Sequence, residues 1–150
     1  MDEAVAQWQK VLAIRPTDAE AHRNIASALR KQGNIKGAIA EYEEALNITP
    51  QDSVALNNLA WVLATSSDAS VRDGARSVTL AVKAVQASGS KDPNFIRTLA
   101  AARAEAGQFA EAVAAAETAK ALASAQRKGE LASRLEQEIA RYRAGIALRE

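Results

Sequence analysis

Ala38-Ile39-Ala40-Glu41-Tyr42-Glu43-Glu44-Ala45-Leu46-Asn47-Ile48-Thr49-Pro50 restates residues 4–16 at an interval of 34. Ala4, Trp8, Val11, Leu12, Ile14 and Pro16 fall in register with Ala38, Tyr42, Ala45, Leu46, Ile48 and Pro50. Small, aromatic, small, Leu, Ile, Pro at one spacing is internal self-similarity, and a period of roughly 20–50 residues marks stacked supersecondary units. Each such unit buries its apolar face only against its neighbours, so the product is a solenoid that offers a long surface rather than one deep cleft.

Working outward, apolar periodicity and cap residues predict eight helices, near residues 2–14, 18–32, 35–48, 52–64, 71–87, 93–106, 109–124 and 128–144. Asp18 or Thr17 suits the start of the second, and Gly33 and Gly107 suit the ends of the second and sixth. Asp92-Pro93 is a strong start signal for the sixth. The period stretches after Pro50, and the polar run Thr65 to Ser70 reads as an enlarged turn, with Ser70 and Asp73 as a capping box for the fifth helix. Ser88-Gly89-Ser90-Lys91 is the next break.

Composition fits an all-helical chain of one domain. Of 150 residues 48% are hydrophobic, only 4% are aromatic, and Gly and Pro number seven and three. A net charge of +1 gives no global field toward nucleic acid or membrane. Without cysteine there is no thiolate chemistry or disulfide, and the compartment stays open, the cytoplasm slightly favoured. Met1-Asp2-Glu3 is acidic and reads as the start of a helix, not as a signal peptide.

Ala21-His22, Ile25-Ala26, Leu29, Gly33, Ala38, Tyr42, Ala45 and Pro50 resemble the tetratricopeptide repeat, and in-register positions continue to about residue 124. Small residues recur at the helix-crossing positions as Ala26, Ala60 and Ala100, as Ala38, Ser77 and Ala112, and as Ala45, Ala84 and Ala119. Arg103, Gly89 and Ser124 depart from the pattern. The resemblance implies a right-handed superhelical solenoid of antiparallel helix pairs. It divides the chain into a half repeat 2–16, repeats 17–52, 53–92 with the extended turn, and 93–124, and a capping helix 126–145. The run Asn57-Asn58-Leu59-Ala60-Trp61 with Arg72-Asp73-Gly74 is also similar to the closing repeats of larger bacterial proteins of this family.

The same resemblance assigns a concave groove to the first helix of each unit. Its positions are Glu20, Arg23, Asn24, Ser27, Arg30 and Lys31; then Val54, Asn57, Asn58, Trp61, Ala64 and Thr65; then Asn94, Arg97, Thr98, Ala101, Ala104 and Glu105. Candidate peptide-binding residues are Arg23, Asn24, Ser27, Arg30, Asn57, Asn58, Trp61, Asn94 and Arg97. Asn24 and Asn58 share a position whose amide can both donate to and accept from a peptide backbone. This looks like the asparagine ladder of the repeat domain in O-linked N-acetylglucosamine transferase, with Thr98 breaking the third rung. Of the carboxylate clamp in chaperone-binding members, only Arg23 and Asn58 match. Trp61 reads either as a groove anchor or as a cover for the enlarged turn. The plain alternative for the polar set is a solvated helix face.

The chain starts in the second helix of a unit, which leaves Val5, Trp8 and Leu12 expected to be uncovered on one side. Such an edge suits either a piece of a longer protein or self-association as a homodimer. His22 stands alone at a core-facing position, and no metal, cofactor or catalytic constellation is indicated. The reading is a non-catalytic module that binds a protein or peptide partner, not nucleic acid or membrane. A self-assembling structural module and a substrate-holding appendage of a larger enzyme, such as a glycosyltransferase, are the alternatives.

Overall fold

The computed structural model describes residues 3–89 and 91–150, with Ala4 described in its backbone alone. Asp2 as the start of the first helix, Ala4 as a small packing residue and Ser90 in the break after the fifth helix lie outside the described residues. Among the described residues the chain is eight helices and no strands: α1 (Glu3–Ile14), α2 (Ala19–Lys31), α3 (Ile35–Ile48), α4 (Ser53–Thr65), α5 (Gly74–Ala87), α6 (Pro93–Glu105), α7 (Phe109–Ala125) and α8 (Gly129–Arg143). Each packs on its neighbour in sequence, and α4 packs on α6 as well. The fold is a helical-repeat solenoid.

Caps set the helix starts. Carboxylates of Asp18, Asp52, Asp73 and Asp92 accept the free first-turn N–H groups of α2, α4, α5 and α6 at 2.9–3.0 Å. Gly33 and Gly107 end α2 and α6 at φ 79° and 78°, a left-handed conformation that costs a residue with a Cβ about 1 kcal/mol or more. The fifth helix starts at Gly74, three residues after the expected position. Ser70 is not its cap, because its N–H and hydroxyl both donate to Asp68 Oδ1, at 2.9 and 2.7 Å.

Small residues let the helices meet. Ala26, Ala38, Ala45 and Ala55 are fully buried around Tyr42 and Leu59 in one apolar cluster. Ser77 occupies a small position too, and its hydroxyl donates to Ala60 O at 2.7 Å, so a polar atom is buried with its bond made. A second cluster joins Ala60, Trp61 and Ala64 of α4 to α6, α7 and α8. Helix α4 therefore faces core on two sides, and every residue from Leu59 to Thr65 is buried. An apolar girdle of this kind belongs to a central helix, not a surface one.

Helix α8 closes the second cluster with Leu135, Ile139 and Tyr142, each at most 2% exposed. Burying side chains of this size contributes on the order of 1.5–3 kcal/mol each before ordering entropy. At the other end, Val5 is 5% exposed, against the expectation that it would be uncovered. Helix α1 packs on α2, and Val5 falls on the covered side of that contact. Trp8 and Leu12 are half-buried, and Ile14 is the strongly exposed residue of this edge at 82%.

Candidate functional site

The inner helices α2, α4 and α6 carry the candidate residues. Helices α4 and α6 pack together, and α2 reaches α4 through Ala26 in the first apolar cluster and through the Arg23 bond to Asp52. A cleft of about 460 Å³ opens beside their C-terminal ends, lined by Arg30, Ile35, Trp61, Thr65 and Ser67 among others. A second cleft, of about 290 Å³, continues along α4 and α6 and holds Arg30, Asn57, Asn58, Trp61, Asn94, Arg97 and Arg134. Six of the nine candidate binding residues thus line one continuous surface.

The other three sit apart from it or are engaged. Arg23 is tied to the cap of α4: its Nη1 donates to both carboxylate oxygens of Asp52, at 3.2 and 2.9 Å. Ser27 donates to Arg23 O at 3.0 Å and lies 3.1 Å from the Tyr42 hydroxyl, which makes it part of the α2–α3 packing. Asn24 is half-buried on α2, outside both clefts. Asn94 turns its amide back onto Asp92 Oδ1 at 3.1 Å, so it reinforces the start of α6.

Arg97 is the hinge of the surface. Its guanidinium lies 4.2 Å from the Trp61 ring centroid. It also donates from Nε and Nη2 to Glu138 on α8 at 2.6–3.0 Å. The α8 partner Glu138 is 5% exposed, so this is a buried, bidentate ion pair stacked on an indole. Its effect is to neutralise Arg97; of the other arginines in the second cleft, Arg30 faces the Glu150 carboxylate at 3.9 Å, and Arg134 is the remaining basic group. Arg30 Nε and Asn57 Oδ1 are buried with no hydrogen-bond partner among the described residues.

Several positions expected to line an open groove are covered. Ala64, Thr65, Ala101 and Ala104 are each at most 2% exposed. The cause is the stretch after α8. Gly145, at φ 72°, reverses the chain, and Leu148 enters the second cluster at 9% exposure. Arg149 pairs with Glu105 at 2.7 Å. Glu150 N–H donates to Thr65 O at 2.7 Å, and Ser67 N–H donates to Glu150 O at 2.8 Å, a strand-like exchange about Ser66. The Trp61 indole N–H donates to the Glu150 carboxylate at 2.7 Å, and Arg30 approaches the same oxygen at 3.9 Å.

The enlarged turn is built to present that backbone edge. Arg72 Nη1 donates to the carbonyls of Ser66 and Ser67 at 2.8 and 3.2 Å, and its Nε to Glu105 at 3.0 Å. Thr65 donates its hydroxyl to Trp61 O at 2.8 Å. Trp61 lines both clefts, one of which also includes Thr65, Ser66 and Ser67 of the turn. Glu138, which reads from sequence with Glu136 as an ordinary exposed helix charge, is buried instead because Arg97 pairs with it. Leu148 and Glu150 were not singled out from sequence. The apolar triplet Ile146-Ala147-Leu148 directly after Gly145 was the available signal.

His22 is held at both ring nitrogens, 2.7 Å from Glu41 Oε2 and 3.2 Å from Pro16 O. Partial burial opposes its charge. The Glu41 hydrogen bond, the Pro16 carbonyl and the charges of Glu41 and Glu44 outweigh that and place its pKa above the ordinary histidine value. It is a clip between α2 and α3, far from the clefts.

The family model described as TPR repeat, the tetratricopeptide repeat, matches residues 1–33 and 26–65. Over these 65 of its 150 residues the chain is similar to the tetratricopeptide repeat. The two matched segments overlap across the end of α2, and together they run from α1 to the end of α4. Further along the chain α4 packs on α5 and α6 on α7. No curated protein matches the chain. Tetratricopeptide repeats are in general protein-interaction modules and typically non-catalytic. Among the described residues no helix is long and apolar enough to cross a membrane.

Proposed function

We propose that the protein is a non-catalytic interaction module that binds an extended segment of a protein partner along the surface of α4 and α6, with Arg30, Asn57, Asn58, Trp61, Asn94 and Arg97 as its lining. The observation that carries this reading is the convergence of amides, an indole and two arginines on one cleft system, with Arg30 facing the Glu150 carboxylate at 3.9 Å. Amides serve a peptide backbone without reading its sequence, since each offers a donor and an acceptor. Arg30 and Arg134 add a bias toward acidic segments, and long-range charge attraction of this kind acts mainly on association rate. Arg23, Asn24 and Ser27 support the scaffold in this reading and do not touch the ligand.

The test is selection from a random peptide display library on the parent protein, followed by titration of the selected peptides against Asn58→Ala and Arg30→Ala. Expected are acidic, extended peptides that lose about tenfold or more in affinity on both variants, with melting temperatures unchanged. Peptides that bind both variants as tightly as the parent would place the interaction elsewhere.

A second reading rests on Ile14, 82% exposed beside the half-buried Trp8 and Leu12. Self-association through this edge would appear as a concentration-dependent sedimentation coefficient that Ile14→Lys abolishes.

A further inference from the structure

Residues 146–150 lie in the place that the interaction reading assigns to a ligand. Three features show what that seat recognises. The backbone of the enlarged turn is extended at Ser66, with φ −50° and ψ 135°, and its flanking Thr65 O and Ser67 N–H are both taken by Glu150. The indole N–H of Trp61 and the guanidinium of Arg30 converge on one carboxylate oxygen. Glu105 takes the basic side chain one position earlier, and the apolar wall of α4 and α6 takes Leu148 two positions earlier.

The hold on this segment is local. Glu150 and Arg149 keep side-chain exposures of 56% and 40% in their ion pairs, and Ile146 is 49% exposed. Exposed pairs of this kind contribute little net stability, about 0–1 kcal/mol each. A segment tethered to its own site is nonetheless present at an effective concentration in the millimolar range. It fills the seat without being locked there.

We infer that the Thr65–Ser67 edge, with Trp61 and Arg30, is a docking seat for an extended partner segment of the pattern apolar–basic–acidic, and that residues 146–150 occupy it until the partner displaces them. The inference rests on the interaction reading and narrows it to one end of the surface. The partner adds a strand-like backbone pairing to the turn, places its carboxylate on the indole N–H, and places its apolar residue where Leu148 now sits. Displacement of a tethered competitor lowers the apparent affinity of the partner in the parent chain and leaves its contacts unchanged.

The probe is a blocked heptapeptide with the sequence of residues 144–150, Ala-Gly-Ile-Ala-Leu-Arg-Glu, titrated into the full chain while the Trp61 indole resonance is followed by NMR. The parent is compared with a release variant, Arg149→Glu/Glu150→Pro, which reverses the pairing with Glu105 and removes the N–H given to Thr65. Circular dichroism confirms that helicity is retained. Expected is a Trp61 indole shift in the release variant before peptide is added, its return on titration, and peptide affinity at least about tenfold higher than in the parent. Equal affinity for the two chains would overturn the inference, as would an unshifted indole in the release variant. Peptide binding to neither chain would also overturn it, because the seat would then serve only the chain's own segment. A dimer of the parent that the release variant loses would make the occupant a second copy and overturn the partner assignment. Each of these results leaves the Asn58 titration standing, because Asn58 lies outside the seat, so the wider interaction reading falls only by its own test.

Discussion

Arg97 of α6 bonds both carboxylate oxygens of Glu138 on α8 while its guanidinium stacks 4.2 Å from the Trp61 ring on α4. One side chain thereby ties three helices through charge, hydrogen bonds and an aromatic face. The side chains of the pair are only 15% and 7% exposed, so neither charge is well solvated once its partner is gone. Glu138→Gln is expected to cost about 3–5 kcal/mol, because it strands a buried guanidinium. The double replacement Arg97→Met/Glu138→Leu should recover most of that loss, since it removes both charges and retains volume. Urea denaturation of the single and double variants measures this. A single-variant loss under about 1 kcal/mol would mean that the pair is solvated in solution.

His22 makes stability depend on pH in a known direction. Its pKa in the folded chain lies above the ordinary value of 6.5: partial burial opposes the charge, but the Glu41 hydrogen bond, the Pro16 carbonyl and the charges of Glu41 and Glu44 together outweigh it. The folded state thus binds the proton more tightly than the unfolded chain, and the stabilisation is fully present below the unfolded pKa. It is lost as pH rises through the raised folded value. The melting temperature of the parent should therefore fall between pH 6 and pH 8.5 by more than that of Glu41→Gln. Equal slopes in the two proteins would remove His22 from the account.

Glycine separates close approach from open space. A Cβ on Gly74 would stand 2.8–2.9 Å from the backbone of Glu105 and Ala106, which cannot swing aside. Gly74→Ala should push α5 off the end of α6 and cost about 1–3 kcal/mol. Gly129 also lies in a first helical turn, but nothing stands within 4 Å of an added Cβ. Gly129→Ala should stabilise by about 0.4–1 kcal/mol through lower chain entropy in the unfolded state. Thermal unfolding of the two variants should show shifts of opposite sign, and shifts of the same sign would refute the packing assignment of Gly74.

The legibility of the chain follows the range of each interaction. Asp52, Asp92, Gly33 and Gly107 act within one helical turn, so the starts and stops they dictate were readable residue by residue. The start of α5 was misplaced by three residues, because Ser70 and Asp73 each had a plausible local role and the bond from Ser70 to Asp68 decided between them. Helical register placed Asn58 and Trp61 on one face. It put Glu138 on the exposed charged face, yet Glu138 is buried against a partner 41 positions away, because side-chain pairs across helices leave no periodic trace. Val5 was expected to be exposed on the reasoning that a missing neighbour uncovers an edge, yet it is 5% exposed in a helix that packs on α2.

The bond between Trp61 and Glu150 spans 89 positions in a fold whose other helix contacts are mostly between neighbours. An open array frays from its ends, each unit melting with little effect on units farther in. Here residues 148–150 lie against the central helix, so the stretch from α4 to α8 closes into a ring for as long as they are seated. Opening at either margin of that ring strains the same clasp. Amides in α5 to α8 should exchange with solvent as one cooperative group, and those of α1 to α3, outside the ring, as a separate and faster one.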